Sequence, residues 1–509
     1  MPSYVLELPL ITEIYQVHIL DRRLEIGRQI YNSLLTMTQK RYAEMIKTNL
    51  YRDLMFDLKS VNQELEKCKD DEREKDLKRQ KKLILADLTK LRKTYKLTEY
   101  DFHKDVKRMQ HHFKKNIDSF TAQKIASRLW SSYEKLIFGA GIELHYQKFG
   151  NFNSLEGKSN TAGIRYKNGI IKWNGLQLKV VIDPNNAYER YPFRYEDDKK
   201  KFDLKYCRII RKIIRGKHKY YVQFVFGGIP FPKYDKETGE IKHQLGVGRV
   251  GIDIGTQTIA ISSASEVKIV ELADEIQKIE DEKRRILRKL DRSRRATNPQ
   301  NYNEDGTIKK QGSKKVKWHR SNRYLKILYE LKDIQRKQKA IRKIQHETLA
   351  NDVLSLGNEF YVEQMNFKAL QKRAKETKQD ESGKYKRKKR FGKSIANKAP
   401  AMLLSIVRRK LKYVNRVLHE INTWTVKASQ YNHQTDEYQK KKLSERLTII
   451  GEDTVQRDLY SAFLIMNAND DLQTINKEKC DKTYENFRLL HDQEIIRLRG
   501  NKNLSSIGI

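Results

Sequence analysis

The sequence has 509 residues, with 105 Lys and Arg against 65 Asp and Glu, which gives a formal net charge of +40 at pH 7. This length is enough for two to four domains with a sizeable buried core. A positive surplus of this size indicates a polyanionic partner, with nucleic acid as the leading candidate and an anionic membrane surface as the alternative.

Two further features of the sequence narrow the class of protein. No run of 18 apolar residues could span a membrane, and the first residues lack a secretory signal, so we expect a cytoplasmic protein. Cys68, Cys207 and Cys480 are far apart and form no CxxC pair. This spacing suggests neither a disulfide framework nor a cysteine zinc site.

The first 135 residues are predicted to be mainly helical. Residues 3–12 alternate weakly, as in a strand, and apolar residues recur at helical spacing from 20 to 35. The pattern then stays helical and highly charged, which predicts a helical domain over 15–135. Its charges fit either the solvated faces of a bundle or one basic face that contacts nucleic acid. Candidate contacts in the first helix are Arg22, Arg23 and Arg28.

A β-rich region follows the helices. Short apolar runs, broken by Gly, Asn and Pro, lie at 143–148, 163–173, 176–182 and 207–227. The last run reads as a hairpin, and the first strand of the chain could complete a small antiparallel sheet or barrel. We therefore expect one β domain from 1–14 and 136–246, with the helical domain inserted in it. The hairpin is basic, either to protect an edge strand or to contact phosphates, through Arg208 and Arg211.

Residues 248–264 predict a strand, a tight turn and a second strand, at the start of a third region over 247–509. Alternation places Gly251, Asp253 and Gly255 on one face of the first strand. Glycine on both sides of an acid leaves room for a large ligand, such as a metal ion carrying a phosphate. A hairpin with an outward-facing aspartate is the plain alternative.

Two long helices are predicted at about 274–293 and 320–350, and each has one apolar stripe. The stripes consist of Ile276, Ile279, Ile286 and Leu290, and of Leu328, Leu331, Ile334, Ile341 and Ile344. This pattern predicts an antiparallel helical hairpin. The outer face of its first helix is basic, either as a solvated surface or as a phosphate contact formed by Arg284, Arg285, Arg288 and Arg292.

A second acid follows the hairpin. Residues 358–365 read as a buried strand with Glu363 at its C-terminal end. The basic run that comes next is typical of a mobile arm, and its position makes contact with a substrate backbone plausible. This arm contains Lys384, Lys386, Arg387, Lys388, Lys389 and Arg390.

A third acid lies near the C-terminal end of the chain. An amphipathic helix is predicted at 399–419 and a further strand at 422–428, before a helix that opens near residue 454. One face of this last helix contains Asp458 and the small residues Ser461 and Ala462. Small residues allow close packing on a sheet, which would bring the third acid towards the first.

The three acids, Asp253, Glu363 and Asp458, suggest a common chemistry. Cleavage of a phosphodiester by two divalent ions requires hard oxygen ligands that hold the ions ~3.5–4 Å apart. Their order, with one acid on a first strand, one on a later strand and one on a final helix, is that of an RNase H-like nuclease. Glu359 and Asp453 are neighbouring alternatives, because predicted element ends are uncertain by a few residues.

Three motifs resemble a known family over nearly the whole chain. Gly-Ile-Asp253-Ile-Gly, Tyr-Val-Glu363-Gln-Met and Gln-Arg-Asp458-Leu-Tyr are similar to the RuvC motifs of TnpB, the OrfB-type protein of insertion sequences related to type V CRISPR effectors. The resemblance implies an α+β multidomain fold. Its helical recognition domain is inserted in a small β-barrel (wedge) domain, and an RNase H-like (RuvC) α/β nuclease domain with a helical hairpin insertion at about 274–350 follows.

The resemblance also implies an activity. It indicates an RNA-guided endonuclease, encoded by an insertion sequence, that takes a guide RNA from the transposon end and cleaves double-stranded DNA beside a short transposon-adjacent motif. The three acids would bind two Mg²⁺ or Mn²⁺ ions. We expect a prokaryotic cytoplasmic protein, associated with the nucleoid when bound to DNA and with no membrane partner.

The sequence departs from the family at two places. The family has a zinc ribbon of two CxxC pairs before the third motif, whereas residues 428–446 contain no cysteine and one histidine, His433, so we expect no zinc. Tyr460 replaces the asparagine that the family has after the third acid. These changes leave two alternatives open, an RNA-guided DNA-binding repressor with weak or no cleavage and a transposase that joins DNA strands.

Overall fold

A computed structural model of the chain divides into two compact units, residues 1–231 and 232–509. The predicted mixture of helices and strands in more than one unit is confirmed. In the described part of the chain, no helix is long and apolar enough to cross a membrane. The structure describes residues 2–68, 70–139, 141–193, 195–196, 199–200, 203–235, 237–309, 316–374, 376–377, 379, 383, 385, 391–441 and 445–500.

The first unit contains an antiparallel seven-stranded sheet that curls, with strand order β2-β8-β9-β1-β5-β4-β3. The strands of this unit are β1 Ser3–Ile11, β2 Ser154–Glu156, β3 Arg165–Lys167, β4 Ile170–Trp173, β5 Leu176–Val180, β6 Tyr195–Glu196, β7 Lys199–Lys200, β8 Leu204–Ile214 and β9 Lys217–Gly227. Side chains of β1 alternate between exposed and buried along its whole length, because successive residues of a strand point to opposite faces. β1 pairs with β9 over most of its length and with β5 at its end, so it joins the two halves of the sheet.

The hairpin β8–β9 closes through Arg215 and Gly216, which both have positive φ angles of 49° and 77°. Two such residues form the tight turn whose twist matches that of antiparallel strands, and glycine adopts this conformation without steric cost. The predicted hairpin at 207–227 is therefore confirmed. The predicted strand at 143–148 is wrong, because those residues form a loop, and the edge strand of the sheet is β2 instead.

In the described residues of this unit the helices that accompany the sheet are α1 Ile14–Met45, α2 Asn49–Lys67, α3 Asp71–Thr94, α4 Glu99–His112, α5 Ser119–Ile137 and α6 Ala187–Arg190. Side-chain caps begin several of them: Thr48, Thr98 and Asp118 each accept a hydrogen bond from a backbone N–H of the first turn. Such caps satisfy amide groups that have no partner within the helix. The predicted helical segment thus lies in one compact unit with the sheet.

The second unit is organised around a five-stranded sheet with strand order β12-β11-β10-β13-β14. Its strands, and those of two further hairpins, are β10 Arg249–Ile254, β11 Thr258–Ser262, β12 Val267–Glu271, β13 Glu359–Glu363, β14 Leu418–Ile421, β15 Tyr431–Asn432, β16 Glu437–Tyr438, β17 Leu447–Ile450 and β18 Asp453–Gln456. The pairs β10–β11 and β11–β12 are antiparallel, whereas β10–β13 and β13–β14 are parallel. β10 and β13 therefore end at the same edge of the sheet.

The helices of this unit are α7 Ile276–Thr297, α8 Asn322–Leu354, α9 Phe367–Leu370, α10 Gly392–Lys398, α11 Pro400–Tyr413, α12 Thr423–Val426, α13 Arg457–Met466 and α14 Lys477–Arg499. One predicted helix is shorter than expected, and one predicted strand is wrong. Residues 399–419 contain a helix, α11, and then the start of strand β14. Residues 422–428 form no strand, because the Asn422 side chain caps the one-turn helix α12.

Two apolar cores cover the two faces of the five-stranded sheet. Val250, Ile252 and Ile254 of β10 pack with α11 and the end of α8, whereas Tyr361 of β13 packs with α13 and α14. The predicted alternation along residues 250–254 is confirmed.

The helical hairpin α7–α8 is antiparallel, as predicted. Ser293 contacts Ser321 at one end, and Gln338 donates to Glu280 3.3 Å away at the other. Its small core consists of Ile286, Ile327, Leu331 and Ile334, with Ile279 and Leu290 packed against it. The predicted place of Ile344 in this stripe is wrong, because its side chain is exposed.

Candidate active site and nucleic-acid interface

Three elements bring the predicted acids to one region of the second unit. Ile252 of β10 is in register with Val362 of β13, so the next residues, Asp253 and Glu363, follow side by side at the edge where these parallel strands end. Asp458 lies in the first turn of α13, and its carboxylate, with that of Glu363, raises the pKa of Asp253. The fold therefore brings these three acids, which are about a hundred positions apart in the sequence, into one region.

α13 packs on the sheet through the backbone of Gly251. A Cβ atom at Gly251 would lie 2.0 Å from the Ala462 carbonyl oxygen and 2.4 Å from the Met466 nitrogen. No side chain fits there, so this glycine is required for helix packing. The expectation that Gly251 leaves room for a ligand is therefore wrong, whereas the predicted close packing of small residues of α13 is confirmed.

α13 is almost completely buried, with Asp458 as the exception. Nine of its ten residues are buried, including the Arg457 side chain that precedes Asp458. The Gln456 side chain caps the helix by accepting a hydrogen bond of 2.8 Å from the Leu459 nitrogen. Helix packing and capping thus fix the position from which Asp458 projects.

The carboxyl of Asp253 has a pKa well above its usual value. Burial is the largest cause, followed by repulsion from the carboxylates of Glu363 and Asp458, and the positive charge of Arg457 acts in the opposite direction. Burial disfavours the charged form of an acid, and a neighbouring carboxylate disfavours it further. Without a cation, the charged form of Asp253 is therefore disfavoured.

The carboxyl of Glu363 also has a raised pKa, and here burial is the cause. Burial raises the pKa of its carboxyl to about 7, although the backbone N–H of Ala428 donates a hydrogen bond to it and favours the charged form. Ala428 lies directly after the segment 422–427. The region that the sequence predicted as a strand is therefore the wall of the site beside Glu363.

Two arginines face Asp458. Arg446 Nη1 lies 3.4 Å from its Oδ2, and Arg457 Nη2 lies 3.3 Å from its Oδ1. Sequence analysis missed both residues as parts of the site. Arg457 stands next to the third acid in the motif, which is a signal that the sequence did contain, whereas Arg446 precedes β17 and reaches the site only through the fold.

The donor set suits a hard divalent cation by chemistry. Carboxylate oxygens are the ligands that Mg²⁺ and Mn²⁺ prefer, and a cation between these acids would remove the repulsion that raises the pKa of Asp253. Among the described residues, no group of three His, Cys, Asp or Glu side chains forms a complete metal-binding cluster. Asp458, whose oxygens face arginines, is the acid that would have to turn towards the other two.

The two neighbouring acids that the sequence left as alternatives have partners elsewhere in the protein. Arg249 donates to Glu359 over 3.1 Å, at the opposite end of β13 from Glu363. Asp453 accepts hydrogen bonds from Tyr484 at 3.1 Å and from Arg488 at 3.2 Å. These contacts give both acids a structural role.

Two short hairpins, β15–β16 and β17–β18, occupy the segment before α13. His433 lies in the turn between β15 and β16 and is buried, and its Nδ1 lies 2.6 Å from the Tyr460 hydroxyl of α13. The rings of Phe463, Tyr484 and Tyr460 surround this histidine. Tyr460, which replaces the family's asparagine, is thus a core residue, and the expected absence of zinc stays a prediction.

Two of the predicted nucleic-acid contacts are wrong, because their guanidinium groups are bound inside the first unit. Arg23 donates to the carbonyl oxygens of Trp173 and Asn174, at 2.9 and 2.7 Å, and burial lowers its pKa to about 10. Arg211 forms an ion pair of 2.6 Å with Asp21 and also donates to the Gly150 carbonyl oxygen. Neither side chain is available to a phosphate.

The other predicted contacts differ in exposure. Arg28 pairs with Glu25 and Arg208 with Glu156, both at 2.6 Å, and each remains partly exposed. Exposed arginines are Arg22 of α1 and the α7 residues Arg284, Arg285, Arg288 and Arg292. The basic arm residues Lys384, Lys386, Arg387, Lys388, Lys389 and Arg390 lie outside the described residues.

A basic cleft in the first unit was missed by sequence analysis. It has a volume of about 450 Å³ and lies between α5 and the residues around β2, with Arg208 of β8 in its wall. Lys124, Arg128, Ser131 and Lys135 line it at successive turns of α5, each turn rising about 5.4 Å. The apolar positions of α5 alternate with this stripe, so the helical period contained the signal, but only the fold shows which side it faces.

The chain was compared with protein families, curated proteins and solved structures. No protein-family profile and no curated protein matches the sequence. Among the solved structures that match, the cryo-EM structure of the Cas12f1-sgRNA-target DNA complex aligns with 92% of this chain and 99% of that chain, at 12% sequence identity and a TM-score of 0.40. A likeness of this extent supports no conclusion about activity or partners.

Proposed function

We propose that this protein is a nuclease of the RNase H-like type that uses divalent cations to hydrolyse DNA phosphodiesters. The observation that carries this proposal is the grouping of Asp253, Glu363 and Asp458 in one region at the end of the five-stranded sheet, where burial and repulsion from the other two acids raise the pKa of Asp253. A protein tolerates such repulsion at a cost in stability, which a cation-binding role explains. Three antiparallel strands followed by two parallel ones, with α13 packed on the sheet, also support an RNase H-like interpretation.

The three acids would bind the divalent cations, and neighbouring residues would orient them. Asp253 and Glu363 would hold Mg²⁺ or Mn²⁺ from two neighbouring strands, and Asp458 would complete the set from α13. Bound cations of this kind lower the pKa of water and stabilise the leaving oxygen of a phosphodiester. The N–H of Ala428 orients the Glu363 carboxylate, and Gln456 orients the helix that presents Asp458.

The nucleic acid would be bound by two basic surfaces. The α5 cleft presents lysine, arginine and serine groups on successive helical turns, and these are groups that contact phosphate oxygens in nucleic-acid complexes. The outer face of α7 presents four exposed arginines. Together with the net charge of +40, these two basic surfaces support the proposal that the protein binds both a guide RNA and double-stranded DNA.

The finer proposal is a TnpB-type endonuclease of the prokaryotic cytoplasm. It rests on the three motifs and on the placement of their acids, and it includes a guide RNA from the transposon end and a short transposon-adjacent DNA motif. The arginines that face Asp458 favour one second candidate, an RNA-guided DNA-binding repressor in which cleavage is weak. The two candidates share their nucleic-acid partners and differ in turnover.

The proposal is tested with the acids and their structural neighbours. Protein purified with its RNA, which is sequenced to design a matching target, is assayed for cleavage in Mg²⁺, Mn²⁺ and EDTA. Asp253→Asn, Glu363→Gln and Asp458→Asn should each remove cleavage while target binding persists. Glu359→Gln and Asp453→Asn are matched controls that should cut. Target binding without cleavage by the unaltered protein would favour the repressor, and cleavage by Asp253→Asn would refute the proposed site.

A further inference from the structure

The side chain of Trp424, in the segment beside Glu363, is unusually exposed. Trp424 is 85% exposed, although tryptophan is usually largely buried because of its apolar area. It lies in the one-turn helix α12, between strand β14 and Ala428. An exposed indole at this position requires an explanation that the fold does not supply.

Both ends of the segment that bears Trp424 contact the strand of Glu363. Thr423 donates a hydrogen bond of 2.9 Å to the carbonyl oxygen of Gln364, the residue after Glu363. Ala428, four residues beyond Trp424, donates its N–H to the Glu363 carboxylate. Four residues span at most ~15 Å, so the indole lies within a few nucleotides of any phosphate held at Glu363.

The backbone below the indole is held in place. The Asn422 side chain accepts a hydrogen bond of 2.9 Å from the backbone N–H of Trp424. The backbone N–H of Asn422 donates to the Leu472 carbonyl oxygen at 3.1 Å. Thr425 donates to the Gln473 side chain at 3.0 Å. Little backbone freedom remains to be lost when a ligand stacks on the ring, which favours binding.

We propose that Trp424 is a stacking platform for one nucleobase of a single-stranded segment that enters the acidic site. This inference rests on the proposed function, because it assigns the single strand to the nuclease site. Aromatic rings bind bases of any sequence through their faces. A base held on Trp424 would set the position of the neighbouring phosphate relative to Glu363, so Trp424 is a positioning residue.

The test measures binding rather than cleavage, in the Asp253→Asn background with Mg²⁺. Two labelled strands of equal length are compared, a short oligothymidylate and an abasic strand with the same phosphates. Trp424→Ala should weaken binding of the oligothymidylate about 5- to 100-fold and leave binding of the abasic strand unchanged, because base stacking is worth ~1–3 kcal/mol per base. Trp424→Phe should give an intermediate loss.

A control and three contrary outcomes make the test decisive. Ile449→Ala removes a similarly exposed apolar side chain, 69% accessible, from β17 and should change neither affinity. Equal weakening for both strands, or no weakening for either, would overturn the inference. A changed sedimentation coefficient of the free Trp424→Ala protein would also overturn it and indicate a contact between copies of the chain. Since no cleavage is measured, failure of the nuclease proposal would appear separately, in the acid variants.

Discussion

The replacement Glu363→Gln provides a direct test of the cost of burying a carboxylate in the acidic site. Glutamine keeps the shape of the side chain and can still accept the hydrogen bond from Ala428, but it cannot become charged. Burial raises the pKa of the Glu363 carboxyl from 4.5 to about 7 in the folded protein without metal. The variant therefore removes the charge that the fold disfavours.

The stability of the protein depends on pH because the folded and unfolded states bind different numbers of protons at Glu363. Between pH 4.5 and 7 the folded state keeps the proton on Glu363 that the unfolded state has already lost, so the free energy of unfolding falls as the pH rises. The shift corresponds to about 3 kcal/mol of stability lost above pH 7. In EDTA at pH 8, Glu363→Gln should thus be more stable than the unaltered protein, by ~5 °C in the Tm of a unit of this size. At pH 4.5 the two proteins should melt together.

Thermal unfolding at a series of pH values measures this difference, with and without Mg²⁺. The cation should raise the Tm of the unaltered protein at pH 8 and have little effect on Glu363→Gln, because binding to the folded state stabilises it. Asp453→Asn is the control with the opposite sign, since it weakens contacts with Tyr484 and Arg488. If Glu363→Gln were less stable than the unaltered protein at pH 8, the carboxylate would be a structural group and the reasoning would be refuted.

Three further predictions concern the packing, the metal content and the nucleic-acid surface. Gly251→Ala should destabilise the protein by about 3 kcal/mol or more and reduce cleavage, as measured by thermal unfolding and single-turnover assays, because its Cβ would overlap the α13 backbone. Elemental analysis should find much less than one zinc per chain, and one tightly held zinc would contradict this. Replacing Lys124, Arg128 and Lys135 by Gln should weaken binding to all nucleic-acid sequences alike and lower the salt dependence, by about 0.9 in the log–log slope for each lost duplex phosphate contact.

The acids could be predicted from the sequence because their signals are local. Asp253 and Glu363 each lie at or next to the end of a short run of β-branched and aromatic residues, and alternation determines the face on which they lie. Asp458 is flanked by residues at helical spacing, so its helix was also evident. The parallel register of β10 and β13, which makes the first two acids neighbours, is a long-range property that no local pattern contains.

The nucleic-acid contacts were harder to predict, because charge alone does not reveal a partner. Arg23 and Arg208 look alike in the sequence, yet one is bound by carbonyl oxygens in the interior and the other lines a cleft. The stripe on α5 was hidden among many other charged helical positions. Segment 422–428 was misassigned because its β-branched residues suggested a strand, whereas the Asn422 cap starts a helical turn.

Around Asp458, the buried residues of α13 stabilise the fold, whereas Asp458 itself would bind the cation. A helix with nine buried residues of ten contributes much to the core, and its single less buried side chain, Asp458, lies against Arg446 and Arg457 and close enough to Asp253 to raise the pKa of that carboxyl. The apolar contacts of α13 offset the cost of that repulsion, and Gly251 allows the contacts to form. Burial of α13 therefore fixes the place from which Asp458 projects, and its ion pairs with Arg446 and Arg457 are the contacts that a bound cation would have to replace.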